Sequence, residues 1–154
     1  MAKQEKIYIA GPFSTFREKS SLQKMISLVR KNFPDAELYI PMDYKVPGEH
    51  QNPDGTWALK NYDWARQVYL HDLANLDSAT KVFAMYAGRD STTGTAWEIG
   101  YACALGIDTY LYIPGWASRN DMSLMVLNSP LGYIEDDGEI HYVHNNFLER
   151  YNQK

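Results

Sequence analysis

Three side chains of this 154-residue chain stand where their chemistry would be unusual: Glu98, Asp72 and Tyr8. Glu98 lies in Gly94-Thr95-Ala96-Trp97-Glu98-Ile99-Gly100-Tyr101-Ala102, with apolar neighbours Ala96, Trp97, Ile99 and Ala102. A carboxylate in such company is partly desolvated, which makes it a better nucleophile, while the first turns of a helix help to keep it ionised. A glutamate that only complements a helix dipole fits the same local pattern. Asp72 falls mid-helix in Tyr69-Leu70-His71-Asp72-Leu73, one step from the apolar face, and by composition Asp63 and Asp77 match it as solvated helical acids. Tyr8 sits in a short apolar strand, where a buried hydroxyl needs a partner such as a carboxylate at the sheet edge.

Other stretches carry thinner signals. Gly11-Pro12-Phe13-Ser14-Thr15-Phe16-Arg17 is a turn before a helix, a place where backbone N–H groups could cup an anion. It has neither the GxGxxG nor the GxxxxGK[ST] spacing, so neither a dinucleotide fingerprint nor a P-loop is present. His141 and His144 are three apart with no further His or Cys nearby, so no metal site is expected. Cys103, the only cysteine, excludes an intrachain disulfide and lies in an Ala-rich helical stretch as a small buried hydrophobe. Glu135-Asp136-Asp137-Gly138 reads as a solvated turn.

The positioning elements follow from periodicity. Strands are expected at Lys6–Ala10, Glu37–Ile40, Thr80–Tyr86, Thr109–Ile113 and near Gly132–Glu135. Helices are expected over about Arg17–Asn32, Tyr62–Asp77 and Gly94–Leu105, with a short one near Asp121–Asn128 and another over Asn145–Tyr151. Gly106 is the C-terminal stop of the third helix. Met42 to Lys60 has no period and reads as a long loop. Alternating strands and helices predict one α/β domain over residues 1–154, a doubly wound, flavodoxin- or Rossmann-like, five-stranded parallel sheet flanked by helices. Ligands in such folds bind beyond the carboxyl ends of the strands. A net charge of −4 with no basic stripe argues against a nucleic-acid polymer as partner. The absence of a signal-peptide core or a long apolar run predicts a soluble cytoplasmic protein with no membrane contact. The 12 Tyr, 4 Trp and 5 Phe suit core and subunit-interface packing, and also flat ligands.

Taken together, the chain resembles the nucleoside 2-deoxyribosyltransferase family. The matching pieces are Ile7-Tyr8-Ile9-Ala10-Gly11-Pro12-Phe13, Asp72-Leu73, Asp77-Ser78-Ala79, the stretch from Gly94 to Ala102, Ala104-Leu105-Gly106 and Ser123-Leu124-Met125. The resemblance implies that Glu98 attacks the anomeric carbon of a 2′-deoxynucleoside. A glycosyl-enzyme forms, and a second free nucleobase then takes the sugar with net retention. It implies that Asp72 helps move the base's proton, that Tyr8 hydrogen-bonds Glu98, and that Gly11, Phe13 and Gly94 contribute to the substrate site. Met125 would come from a neighbouring subunit of a homo-oligomer, a hexamer being one possibility, with active sites shared between subunits. No metal or organic cofactor is implied.

Two positions depart from the family pattern. Six residues before the nucleophile, where an Asp is usual, stands Thr92; Asp90 is the nearest acid. Ser123 stands where an Asn usually contacts the sugar 5′-hydroxyl. Rival readings are a hydrolase of deoxynucleosides or deoxynucleoside 5′-monophosphates, which Ser14, Thr15 and Arg17 would serve, and a non-catalytic nucleoside-binding module.

Overall fold

The computed structural model describes residues 3–46, 62–88 and 92–143. In chain order the elements are β1 (Lys6–Ala10), α1 (Phe16–Asn32), β2 (Glu37–Tyr39), α2 (Tyr62–Asp77), β3 (Lys81–Met85), α3 (Thr93–Ala104), β4 (Asp108–Tyr112), α4 (Leu124–Asn128), β5 (Gly132–Ile134) and β6 (Ile140–Tyr142). Single 3₁₀ turns occupy Pro41–Asp43, at the start of the expected long loop, and Arg119–Asp121. That loop from residue 47 onward, Asp90, His144 and the expected closing helix lie outside the described residues.

One sheet runs in the order β2-β1-β3-β4-β5-β6. The first four pairings are parallel, whereas β6 runs antiparallel to β5. The expected doubly wound parallel sheet flanked by helices is present, and the strand count is corrected from five to six by a C-terminal hairpin that adds the antiparallel β6. The hairpin turn is the Glu135–Gly138 stretch: the Gly138 amide donates to the Glu135 carbonyl at 2.9 Å, and Gly138 has φ +85°, a conformation that favours glycine. Gly132 lets β6 approach, since a Cβ there would collide with the His141 carbonyl oxygen. The turn is also more than solvated, because Asp136 accepts the Tyr112 hydroxyl at 2.6 Å and pairs with Lys24 at 3.0 Å.

Strand alternation sorts the core into two layers. Ile7, Ile9, Phe83 and Met85 face α1 and pack with its Leu22, Met25, Ile26 and Val29. Tyr8, Ala10, Val82, Ala84 and Leu111 point the other way, onto Leu76 of α2 and Ile99, Ala102 and Cys103 of α3. Each fully buried large side chain contributes about 1.5–3 kcal/mol, so the register is firmly held. Its consequence is directional. Tyr8 shares the parity of the α2–α3 layer and is delivered to the same face as Asp72 and Glu98.

Cys103 is a buried free thiol, acting as a small apolar residue of that layer. At the end of β1, Gly11 allows close packing, for a Cβ there would stand 2.7 Å from Leu22 Cδ1 and 3.2 Å from Met85 Cβ. No described helix is long and apolar enough to cross a membrane.

Candidate active site

Because β2 and β3 lie on opposite sides of β1, the chain crosses over in opposite directions from the middle of the sheet, and a crevice opens at the strands' carboxyl ends. Two adjoining clefts occupy it. One, of about 390 Å³, lies between Tyr8, Tyr69, Asp72, Gly94, Trp97 and Glu98. The other, of about 280 Å³, is walled by Gly11, Phe13, Tyr44, Lys45 and Trp64. Asp72 and Glu98 line both, so the two carboxylates form the partition between them. The volumes suit a small organic ligand rather than a polymer.

The two acids are held differently. Burial pushes the Glu98 carboxyl up to about 7; the neighbouring Tyr8 hydroxyl acts against this by favouring the ionised form, and the charge of Asp72 adds to the rise. Burial also raises Asp72, but the hydrogen bond from Tyr39 and the nearby His71 imidazole oppose it. Tyr39 Oη donates to Asp72 Oδ1 at 2.7 Å. Burial thus raises both carboxyls, Glu98 the more strongly, while the hydroxyls of Tyr8 and Tyr39 hold them toward their ionised forms.

Tyr8 is fully buried, and its hydroxyl meets no partner at good hydrogen-bond geometry among the described residues. Burial, then the charges of Glu98 and Asp72, push its phenol far above the ordinary tyrosine value. It therefore remains a proton-bearing donor directed at acidic neighbours.

The structure brings Tyr8, Asp72, Gly94 and Glu98 to one cleft and Gly11 and Phe13 to the other. Thr92 is not presented to either. It is 2% exposed, and its hydroxyl is engaged with the Gly88 carbonyl. Ser123 and Met125 line neither cleft; both are exposed, Met125 at 80%. The Ser123 amide donates to Tyr86 Oη at 3.3 Å.

The turn after β1 offers less to an anion than its sequence promised. The Ser14 and Thr15 amides donate to Glu18 Oε2 at 2.8 and 2.9 Å, and Thr15 Oγ1 accepts from the Glu18 amide at 3.2 Å. This capping box keeps the Ser14, Thr15 and Glu18 amides within the chain, the first two on the Glu18 carboxylate and the third on the Thr15 hydroxyl. Arg17 lies over the Trp116 ring, 4.0 Å from its centroid. Among the described residues, no three His, Cys, Asp or Glu side chains gather as a metal site.

Tyr39, Tyr44, His71 and Trp64 are site residues that the sequence reading passed over. The position of His71 beside Asp72 was a usable signal. The contribution of Tyr39 and Tyr44 depends on β2 and the turn after it meeting α2, which no local pattern reveals.

With this geometry in view, three comparisons are informative. The model of the family described as nucleoside 2-deoxyribosyltransferase matches residues 7–140. A nucleoside deoxyribosyltransferase of Lactobacillus johnsonii is 26% identical over 120 residues, covering 76% of this chain and 78% of that protein. Among solved structures, a 2-deoxyribosyltransferase from Bacillus psychrosaccharolyticus superposes with a TM-score of 0.67 at 22% identity, covering 96% of this chain and 90% of the other. A conserved protein from Enterococcus faecalis V583 superposes with a TM-score of 0.54 at 19% identity, covering 77% and 70% of the two chains.

Proposed function

This chain belongs to the nucleoside 2-deoxyribosyltransferase family, and from that premise we propose that it exchanges the base of 2′-deoxynucleosides through a covalent glycosyl-Glu98 intermediate. The observation that carries this reading is the shared partition: Glu98 and Asp72 face the same two clefts, one carboxylate buried and the other hydrogen-bonded. In the first half-reaction a Glu98 oxygen bonds to C1′ as the C1′–N bond breaks, and protonated Asp72 gives its proton to the departing base. In the second half-reaction the incoming base attacks C1′ from the face just vacated. The ester bond breaks, Glu98 leaves as carboxylate, and Asp72 takes the proton shed by the new base. Two inversions give retention.

Tyr8 steadies Glu98 in its ionised form, and the ring faces of Phe13, Tyr44 and Trp64 suit a planar base. Exposed Met125 and Ser123 fit a role in a neighbouring protomer's site, within a homo-oligomer whose small-molecule work belongs to cytoplasmic salvage. The substrate favoured is the unphosphorylated nucleoside, because the Ser14 and Thr15 amides, two of the N–H groups this turn could offer a phosphate, are already bound to Glu18.

The test is incubation with thymidine or deoxyinosine, with and without adenine, followed by chromatography of wild type and Glu98→Ala. A deoxyadenosine peak requiring adenine and Glu98, with the variant slower by about 10⁴-fold or more, is expected from the loss of a nucleophile. Free base without a new nucleoside would convert the assignment to a hydrolase. Binding without any base release would convert it to a nucleoside-binding module.

A further inference from the structure

We propose that His71 and Tyr39 form a proton relay that loads and unloads Asp72, a role that deepens the function proposed above and rests on it. The Tyr39 hydroxyl lies 2.7 Å from His71 Nδ1 and 2.7 Å from Asp72 Oδ1. It carries one hydrogen, so it can donate to only one of them at a time. In one arrangement imidazolium Nδ1–H donates to Tyr39, and Tyr39 donates to ionised Asp72. In the other, protonated Asp72 donates to Tyr39, and Tyr39 donates to the bare Nδ1. Shifting one proton along each hydrogen bond interconverts the two, leaving the heavy atoms where they are. His71 loses a proton, Asp72 gains one, and Tyr39 ends as it began.

The surroundings fit a relay. Tyr44, from the segment after β2, stacks on the His71 ring with centroids 3.6 Å apart and planes 5° apart, which fixes the orientation of Nδ1. On α2, Asn75 Nδ2 donates to the His71 carbonyl at 2.9 Å and lies 3.4 Å from Nδ1; it offers Nδ1 no acceptor, because its Oδ1 receives Lys6 Nζ from β1 at 2.9 Å. Among the described residues, Tyr39 on β2 and Asp72 on α2 are the other polar groups facing the imidazole, with Tyr8 of β1 and Glu98 of α3 beyond Asp72. His71 is only partly buried and can exchange protons with water, whereas Asp72 stands within the clefts.

The relay also answers a chemical need. Thr92, at the position of the family's usual second acid, is spent on the Gly88 carbonyl. Besides Glu98, Asp72 is the one acid that the described residues bring to the clefts. When a base departs without needing a proton, the proton shed by the incoming base is left on Asp72, and the relay carries it away.

His71 and Tyr39 act through Asp72 and are positioning residues in this scheme. The test compares two donors, deoxyinosine and 7-methyl-2′-deoxyguanosine, with adenine as acceptor, in wild type, His71→Asn and Tyr39→Phe. The base of the methylated donor already carries the positive charge that protonation would supply, so its departure needs no acid. Exchange from deoxyinosine is proton-neutral at Asp72, since adenine returns the proton that the departing base takes, and there both variants should stay within a few-fold of wild type. With the methylated donor the proton shed by adenine must leave Asp72 in every turnover, so kcat is expected to fall about tenfold to a hundredfold in each variant with KM nearly unchanged, a part of the usual general acid–base contribution. A double variant should lose no more than either single one, since a relay is broken only once. Equal losses on both donors would mean a structural role and overturn the relay, as would full activity of either variant on the methylated donor. Should Tyr39→Phe fold poorly, the partly exposed His71→Asn carries the test alone. A wild type that transfers from neither donor would overturn the transferase reading, and the relay with it.

Discussion

Replacing Glu98 with Gln should make the protein more stable, and the gain should depend on pH. Burial raises the Glu98 carboxyl from its ordinary 4.5 to about 7 in the folded chain. Below 4.5 the group is protonated in both folded and unfolded chains, and it contributes no pH dependence. Between the two values the unfolded chain sheds the proton while the folded chain keeps it, so stability falls as pH rises; above about 7 the folded state bears the full penalty. At about 1.4 kcal/mol for each tenfold change, that penalty is on the order of 3 kcal/mol. It is a ceiling, because Glu98 retains partial solvent contact at the cleft.

The glutamine carries no such penalty at any pH. For a chain of this size, 1 kcal/mol moves Tm by about 2–4 °C, so the variant's advantage should grow by up to about 6–12 °C between acid and alkaline conditions. The assay is differential scanning calorimetry of wild type and Glu98→Gln at matched concentration, at pH 5 and pH 8.5. Packing differences between Gln and Glu give a constant offset, and the other titrating groups largely cancel, so the pH-dependent part isolates the carboxylate. A Tm difference that stays constant across this range, or that shrinks as pH rises, would refute the desolvated-nucleophile argument.

Tyr8→Phe removes a donor that favours ionised Glu98 but breaks no well-formed hydrogen bond among the described residues. The acid limb of the kcat–pH profile should move to higher pH and kcat near neutrality should fall several-fold, with Tm held or raised by removal of an unmatched buried hydroxyl; an unmoved limb would count against Tyr8's role. Thr92→Asp, which restores the family's usual residue type, should fail to raise the exchange rate, because the side chain at this site faces the Gly88 carbonyl at 2% exposure. It should lower stability by about 1–3 kcal/mol through a poorly matched buried carboxylate, seen as a lower Tm, and a faster enzyme would contradict the placement.

What the sequence made legible was whatever local periodicity encodes. α2 shows its full extent in its apolar spacing, and the parallel strands β1, β3 and β4 announce themselves as near-continuous apolar runs. β6 stayed hidden because its three residues are mostly exposed and follow an acidic turn, so no inward-facing stripe marks it. The capping box was readable as Thr15-Phe16-Arg17-Glu18, a pattern that would have withdrawn the anion-binding reading of that turn. Thr92 was harder, since whether a threonine faces a ligand or ties back to its own turn depends on the path of the preceding backbone. The Tyr39–His71–Asp72 chain lay beyond reach because residues 32 and 33 positions apart meet only once β2 is set beside β1.

The coupling between the two carboxylates has a direction that suits the proposed chemistry. Ionised Asp72 raises Glu98, so two negative charges across the partition are disfavoured. Loading a proton onto Asp72 removes that repulsion and releases Glu98 to ionise. The acid-loaded state is thus also the state with the stronger nucleophile, and one proton supplied to the pair prepares both partners. As the first half-reaction proceeds, Glu98 exchanges its charge for an ester while Asp72 gives its proton to the base and becomes negative. The pair carries one negative charge before the step and one after it, and the buried partition never has to accommodate a second. A relay feeding Asp72 rather than Glu98 fits this scheme, because a proton delivered to Glu98 would silence the nucleophile, whereas a proton delivered to Asp72 readies it.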